Sequence, residues 1–214
     1  MQIVLYFLIF AIGALIGSFC TLAVYRLPLG KDITHERSFC PKCNHRLNFL
    51  DLIPILSYIF LGGKCRYCNE KIRPRYIIIE IFSGITAVIF VLSFRLSIIH
   101  IELDKLISIF FGMLYITGLT IIAGIDKEKK QIQKSALIFN IVIVIAYIIY
   151  LFIVGNANMN RYAIYLFFVF ALTALYFSDK KMSTHRKLPY GFYICVLNII
   201  SIIIENIILY YYLA

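Results

Sequence analysis

Charge is what this sequence has least of. Asp, Glu, Lys and Arg make up 15% of its 214 residues, hydrophobic residues 62%, and the mean hydropathy is +0.88. Soluble domains carry about 25% charged residues, so a water-soluble globule is excluded. A basic start is also missing. Gln2 is the only polar residue ahead of a long apolar run, whereas a cleavable signal peptide places positive charge before a shorter one. The first run is therefore read as a retained span. No Gly-x-Gly-x-x-Gly turn occurs anywhere, so nothing indicates a Rossmann-type dinucleotide site. Acids are scarcer than bases, 11 against 21, for a formal charge of +10. That excess sits in short loops between apolar runs, which is a topology signal and not the footprint of a nucleic-acid binder.

Crossing the bilayer core takes about 20 apolar residues. Six runs approach or exceed this: 3–24, 77–94, 106–125, 136–154, 162–177 and 190–213. They predict an all-α, polytopic membrane bundle of about six transmembrane helices. Between the first two lies a polar loop, 26–75, whose one apolar piece, 52–62, is too short to span and is read as an interfacial helix. Loop 26–75 holds ten Lys or Arg, and loops 126–135 and 178–189 hold four each, together 18 of the 21. Arg95, Lys105 and Arg161 are the rest. If the spans alternate in direction, all three basic loops fall on one side, which the positive-inside rule makes cytoplasmic. Both termini are then outside. The expected organisation is a first transmembrane helix at 1–25, a cytoplasmic cysteine domain at 26–76, and a helical membrane region at 77–214.

Cys40-Pro41-Lys42-Cys43 and Cys65-Arg66-Tyr67-Cys68 are two Cys-x2-Cys pairs with 21 residues between them. Two such turns can close a tetrahedral four-sulfur structural zinc site with no open position for catalysis. Two disulfides would satisfy the same count. A reducing cytosol favours zinc, giving a small tetracysteine zinc-knuckle loop. Cys20 and Cys195 lie inside apolar runs and read as small buried hydrophobes.

Gly17-Ser18-Phe19 followed by Tyr25-Arg26-Leu27-Pro28 resembles the opening of the type IV prepilin peptidase family, bifunctional leader peptidases and N-methyltransferases. The resemblance continues through Ser38-x-Cys40-Pro41-x-Cys43, Pro54-Ile55-Leu56-Ser57-Tyr58, Gly63-Lys64-Cys65-Arg66-x-Cys68 and Arg75-Tyr76-x3-Glu80. It implies an aspartic endopeptidase of the bacterial cytoplasmic membrane that removes the basic leader from prepilin-type precursors. It further implies methylation of the new N-terminus with S-adenosylmethionine. The family's first aspartate follows a span in an Ile-Asp motif, which Ile125-Asp126 matches. Its second stands in Gly-x-Gly-Asp-x-Lys, for which Tyr176-Phe177-Ser178-Asp179-Lys180-Lys181 supplies Asp and Lys without the glycines. Leu188-Pro189-Tyr190-Gly191-Phe192 is similar to a later segment of the family that normally lies two spans further on, as if a helical hairpin were deleted here. The expected catalytic residues are thus Asp126 and Asp179, and the expected metal ligands Cys40, Cys43, Cys65 and Cys68. The alternative is a degenerate relative that binds pilin precursors or the assembly machinery without cutting.

Two carboxyl groups can hydrolyse an amide without a metal or a covalent nucleophile. They hold one water, and because like charges close together do not both ionise cheaply, the pair shares a proton. One member then serves as base and the other as acid. Glu80, at the start of the second run, is expected in an interfacial ion pair with Arg73 or Arg75. Glu205, in the last, is expected in a helix–helix hydrogen bond.

Overall fold

The computed structural model describes residues 2–34, 37–95, 102–154, 159–182 and 188–212. Seven α-helices follow one another among these: α1 Gln2–Arg26, α2 Leu56–Phe60, α3 Arg75–Ser93, α4 Leu103–Lys129, α5 Lys134–Val154, α6 Met159–Met182 and α7 Tyr190–Ile207. A π-helical turn, Ile208–Tyr212, prolongs α7. Six of the helices are long and apolar enough to cross a membrane; α2, at five residues, is the exception. The protein is an all-helical, multi-pass membrane protein. Arg186 and Lys187, counted above for topology, lie outside the described residues, as does much of loops 95–105 and 155–161.

The chain forms two compact units, Met1–Val88 and Ile89–Ala214. In the first, α1 packs on α3 through a Gly13-x3-Gly17 face. A side chain at Gly13 would sit 2.6 Å from Ala87 Cβ, and one at Gly17 would sit 2.9 Å from the Glu80 Cα. Small residues let helix backbones approach where lipid gives no hydrophobic drive for association. Helix α1 ends where Pro28 enters a 3-10 turn and Gly30 takes φ 64°. Between residues 27 and 74, Cys40, Gly63 and Cys65 are the only buried residues among those described. This loop has no apolar core of its own.

In the second unit α4 packs on α5 and α7, and α6 packs on the same two helices. Helix α4 is the central one, the most buried of the six long helices, and α6 is the least buried. Polar contacts set the register. The Asn198 amide on α7 donates to the Tyr115 hydroxyl on α4 at 2.6 Å. The side chain of Asn140, on α5, lies against Gly118 of α4, where it can donate to the Tyr115 carbonyl at 3.1 Å. The Tyr115 and Tyr165 rings meet edge to face, centroids 5.2 Å apart, joining α4 to α6.

Helices α4 and α6 both outlast their apolar runs. Lys127, Glu128 and Lys129 continue α4 until Lys130 takes the left-handed conformation, φ 55°, its N–H returning to the Asp126 carbonyl at 2.8 Å. Asp126 and Asp179, expected in loops 126–135 and 178–189, therefore lie within the last turns of α4 and α6. Hydropathy marks the apolar slab, and a helix can run past it on charged residues of good helix propensity.

Candidate functional site

The cysteine loop is built from one turn used twice. In the first copy the Cys40 N–H donates to the His45 carbonyl (3.0 Å) and the Asn44 N–H to the Cys40 carbonyl (2.8 Å). In the second, Cys65 pairs with Glu70 (2.9 Å) and Asn69 with Cys65 (3.0 Å). Bridges Phe39–Arg46 and Lys64–Lys71 flank the two copies at identical offsets. Asn44 and Asn69, each directly after the second cysteine of its pair, share φ 56°, a left-handed geometry that asparagine tolerates. The turns bring the thiols of Cys40, Cys43, Cys65 and Cys68 within 4.8 Å of one another. Cys40 Sγ and Cys68 Sγ, from different pairs, are 3.9 Å apart. Tetrahedral zinc at about 2.3 Å from each sulfur sets sulfurs about 3.8 Å apart. The cluster can hold a metal ion. Burial works against ionisation of Cys40, but backbone N–H groups of Cys43 and Lys42 outweigh it and bring the thiol down to about 7.

Three side chains tie this loop down. Arg26, buried at the end of α1, donates to the Asp32 carbonyl (3.0 Å) and the Arg37 carbonyl (3.1 Å), fixing the approach to the first turn. Asp51 accepts from Arg66 Nε at 2.7 Å and from the Asn48 N–H at 3.1 Å, holding the 3-10 turn Phe49–Leu52 to the second pair. Burial alone would raise the Asp51 carboxyl; the Arg66 guanidinium and the Asn48 N–H hold it below its ordinary value. Glu80 turns inward instead of pairing at the interface. Its Oε2 accepts the Ile55 N–H at 2.8 Å, and the Ser18 hydroxyl also bonds it. The family-like motifs around Ser18, Ile55 and Glu80 therefore meet at one point. The Asn48-x2-Asp51 capping pattern was the available sign for Asp51; Glu80 to Ile55 has no local signature.

In the second unit Asp126 is wholly buried. Its Oδ2 accepts the Phe192 N–H at 3.0 Å, so the carboxyl group seats on the N-terminus of α7. Gly191 makes room for it, since a Cβ there would stand 3.0 Å from Asp126 Cγ and 3.2 Å from Oδ2. Free N–H groups and the helix dipole favour negative charge at such a position. The carboxylate oxygens of Asp179 are shielded from solvent near the end of α6. Tyr115 and Tyr165 fix the relative height of α4 and α6. At 1.5 Å per residue, Asp126 lies about 17 Å and Asp179 about 21 Å beyond that ring pair. Both acids thus stand at the same end of the four helices, at levels about 5 Å apart.

Residues 11–94 match the family model described as Bacterial Peptidase A24 N-terminal domain. Among curated proteins the chain is similar to the prepilin leader peptidase/N-methyltransferase of Vibrio cholerae, 44% identical over 85 residues, covering 36% of this chain and 34% of the relative. The Bacillus subtilis protein of the same name is 33% identical over 132 residues, 62% of this chain and 50% of the relative. That of Klebsiella pneumoniae is 32% identical over 133 residues, 59% and 54% respectively. The chain thus spans about half, or less, of the length of these curated relatives. No solved structure matches it. The longer alignments extend past the region covered by the family model. The motifs around Ser18, Arg26, the four cysteines and Glu80 all fall inside residues 11–94, and it is over this stretch that the chain matches the N-terminal domain of the type IV prepilin peptidase family.

Proposed function

We propose that the protein is an aspartic endopeptidase of the bacterial inner membrane that removes the basic leader from prepilin-type precursors, with Asp126 and Asp179 as its catalytic pair. The observation that carries this reading is the wholly buried Asp126, seated on the start of α7 next to a glycine. An acid serving only as a solvated partner of the neighbouring lysines would be exposed instead.

In the proposed reaction one water lies between the two carboxyl groups. Asp126 takes its proton as the water oxygen attacks the scissile carbonyl carbon, and the Asp179 proton passes to the carbonyl oxygen. A tetrahedral diol results. Asp126 then hands its proton to the leaving nitrogen, Asp179 takes one back from a diol hydroxyl, and the C–N bond breaks. The base role suits Asp126, because Oδ2 already accepts an N–H at a helix N-terminus. The division 1–25, 26–76 and 77–214 follows the same reading, with the last segment as the peptidase region. Zinc held by Cys40, Cys43, Cys65 and Cys68 has a structural part, since a four-sulfur site leaves no position for water. Methylation of the new N-terminus, with S-adenosylmethionine as donor, belongs to the reading through the relatives' names and is assigned no residues here.

The test is leader removal from a cognate prepilin by the full chain in membranes. Cleavage supports the reading. A chain that folds, keeps its metal and cuts nothing would support the rival, a degenerate relative that binds precursors without cleaving them. The loss of both glycines before Asp179 favours that rival. Against it, Tyr176, Phe177 and Ser178 are ordinary helical residues of α6, a conformation that needs no glycine.

Gly191→Ala is expected to slow cleavage roughly tenfold or more, because small displacements of a reacting group are costly. Its melting temperature should stay near that of the parent. An unchanged rate would show that the seat of Asp126 does not matter to the chemistry. For topology, the reading puts the cysteine domain and both aspartates in the cytoplasm. Cysteines introduced at Asn156 and at the C-terminus should react with an impermeant reagent from outside, and those at Lys64, Lys129 and Lys181 should not. Outside labelling at Lys129 would overturn the orientation.

A further inference from the structure

We infer that the segment from Phe49 to Phe60 is a membrane anchor, seating Phe49, Leu50, Leu56, Ile59 and Phe60 in lipid at the boundary between headgroups and acyl chains. The segment presents these side chains outward. Phe49 and Phe60 are each 82% exposed, Leu50 62%, Ile59 60% and Leu56 50%. They come from the 3-10 turn Phe49–Leu52 and from α2, which pack on each other. A contiguous outward apolar surface of this kind marks a binding face.

The occupant follows from depth. Ile55, which opens α2, donates its N–H to Glu80 at 2.8 Å. Glu80 lies five residues into α3, about 7.5 Å along the axis from Arg75, and α3 is a membrane span. Helix α2 is therefore held beside the first turns of a span and not out in the aqueous phase. An interfacial helix buries its apolar face about 5–10 Å into this zone. The residue that makes this bond, Ile55, has φ 63°, a backbone conformation that a β-branched residue rarely adopts. Charge agrees with the placement: Lys64, Arg66, Lys71, Arg73 and Arg75 follow directly in sequence, and anionic headgroups attract such a basic stretch. The anchor would hold the cysteine cluster against the membrane surface, and it does not depend on the catalytic reading.

The chain contains no tryptophan, so Phe60→Trp and Phe49→Trp each introduce a sole reporter. The full-length variants, with helicity and metal content matching the parent, are reconstituted in vesicles of phosphatidylcholine and phosphatidylglycerol. Some vesicles carry lipids brominated on the acyl chains. The anchor predicts that both variants lose most of their emission to the brominated lipid and little to aqueous iodide. Quenching by iodide and not by bromine would put the face in water and overturn the inference. Protection from both quenchers would mean that protein covers the face, a second copy included, and would overturn it as well.

Discussion

Asp126→Asn is expected to abolish leader cleavage, with a fall of at least about 10²–10⁴-fold for loss of a general base, while folding and metal content stay at the parent's level. The amide keeps the size of the side chain and can still accept the Phe192 N–H through its oxygen. The seat on α7 is then preserved and only the capacity to take a proton is lost. Asp179→Asn should fall as far, since neither carboxyl group can be base and acid at the same time. The measurement is the initial rate of leader removal from a cognate prepilin in membranes, with zinc content and melting temperature recorded alongside. Normal cleavage by Asp179→Asn would refute the two-aspartate assignment. Glu128, exposed two residues beyond Asp126, would be the next acid to substitute. Glu80, which belongs to the other compact unit, would follow it.

Much of this architecture is legible in the sequence because a bilayer simplifies the problem. Backbone polar groups cannot be left open in lipid, so each long apolar run becomes a helix. The runs at 3–24, 77–94 and 136–154 match α1, α3 and α5 to within a few residues. Runs 106–125 and 162–177 underestimate α4 and α6, because helices continue into the charged interface where hydropathy falls. The four cysteines were legible as a set, since their spacing reflects one local turn repeated. What could not be read locally are the contacts that cross the chain. Asp126 to Phe192, Asn198 to Tyr115 and Ile55 to Glu80 join residues 66, 83 and 25 positions apart. Each depends on how helices pack, and the available clues were glycines: Gly191 beside Asp126, Gly118 beside Asn140, and Gly13 with Gly17 on α1. Glu80 was misjudged for the same reason. An acid at the head of a span looks like a partner for nearby arginines until the close approach of α1 brings Ser18 to it.

Removing the metal is expected to unfold the cysteine loop and leave the membrane helices intact. Among the described residues between 27 and 74, none of the apolar side chains apart from the cysteines is buried, so hydrophobic burial within the loop stabilises it little. Structural zinc in comparably small domains contributes an apparent 10–16 kcal/mol or so, and that binding free energy is folding free energy. The arginine and carboxylate ties at Arg26 and Asp51 work on a smaller scale, about 1.5–3 kcal/mol per charged hydrogen bond, and cannot replace it. Purified protein should therefore carry one zinc per chain by elemental analysis. Cys40→Ser should lose it, since Cys40 is one of the four sulfurs of the cluster and is buried within it. Limited proteolysis should then cut between residues 31 and 74 in the chelated protein and in Cys40→Ser, but not in the parent. Helicity should fall little, because that region contributes only the five residues of α2 and the 3-10 turn Phe49–Leu52. A preparation without zinc, with all four thiols oxidised in pairs and the loop still resistant to protease, would show that disulfides hold the fold. The 3.9 Å approach of Cys40 and Cys68, which belong to different pairs, argues for a shared metal, since one cation neutralises sulfurs from both turns at once.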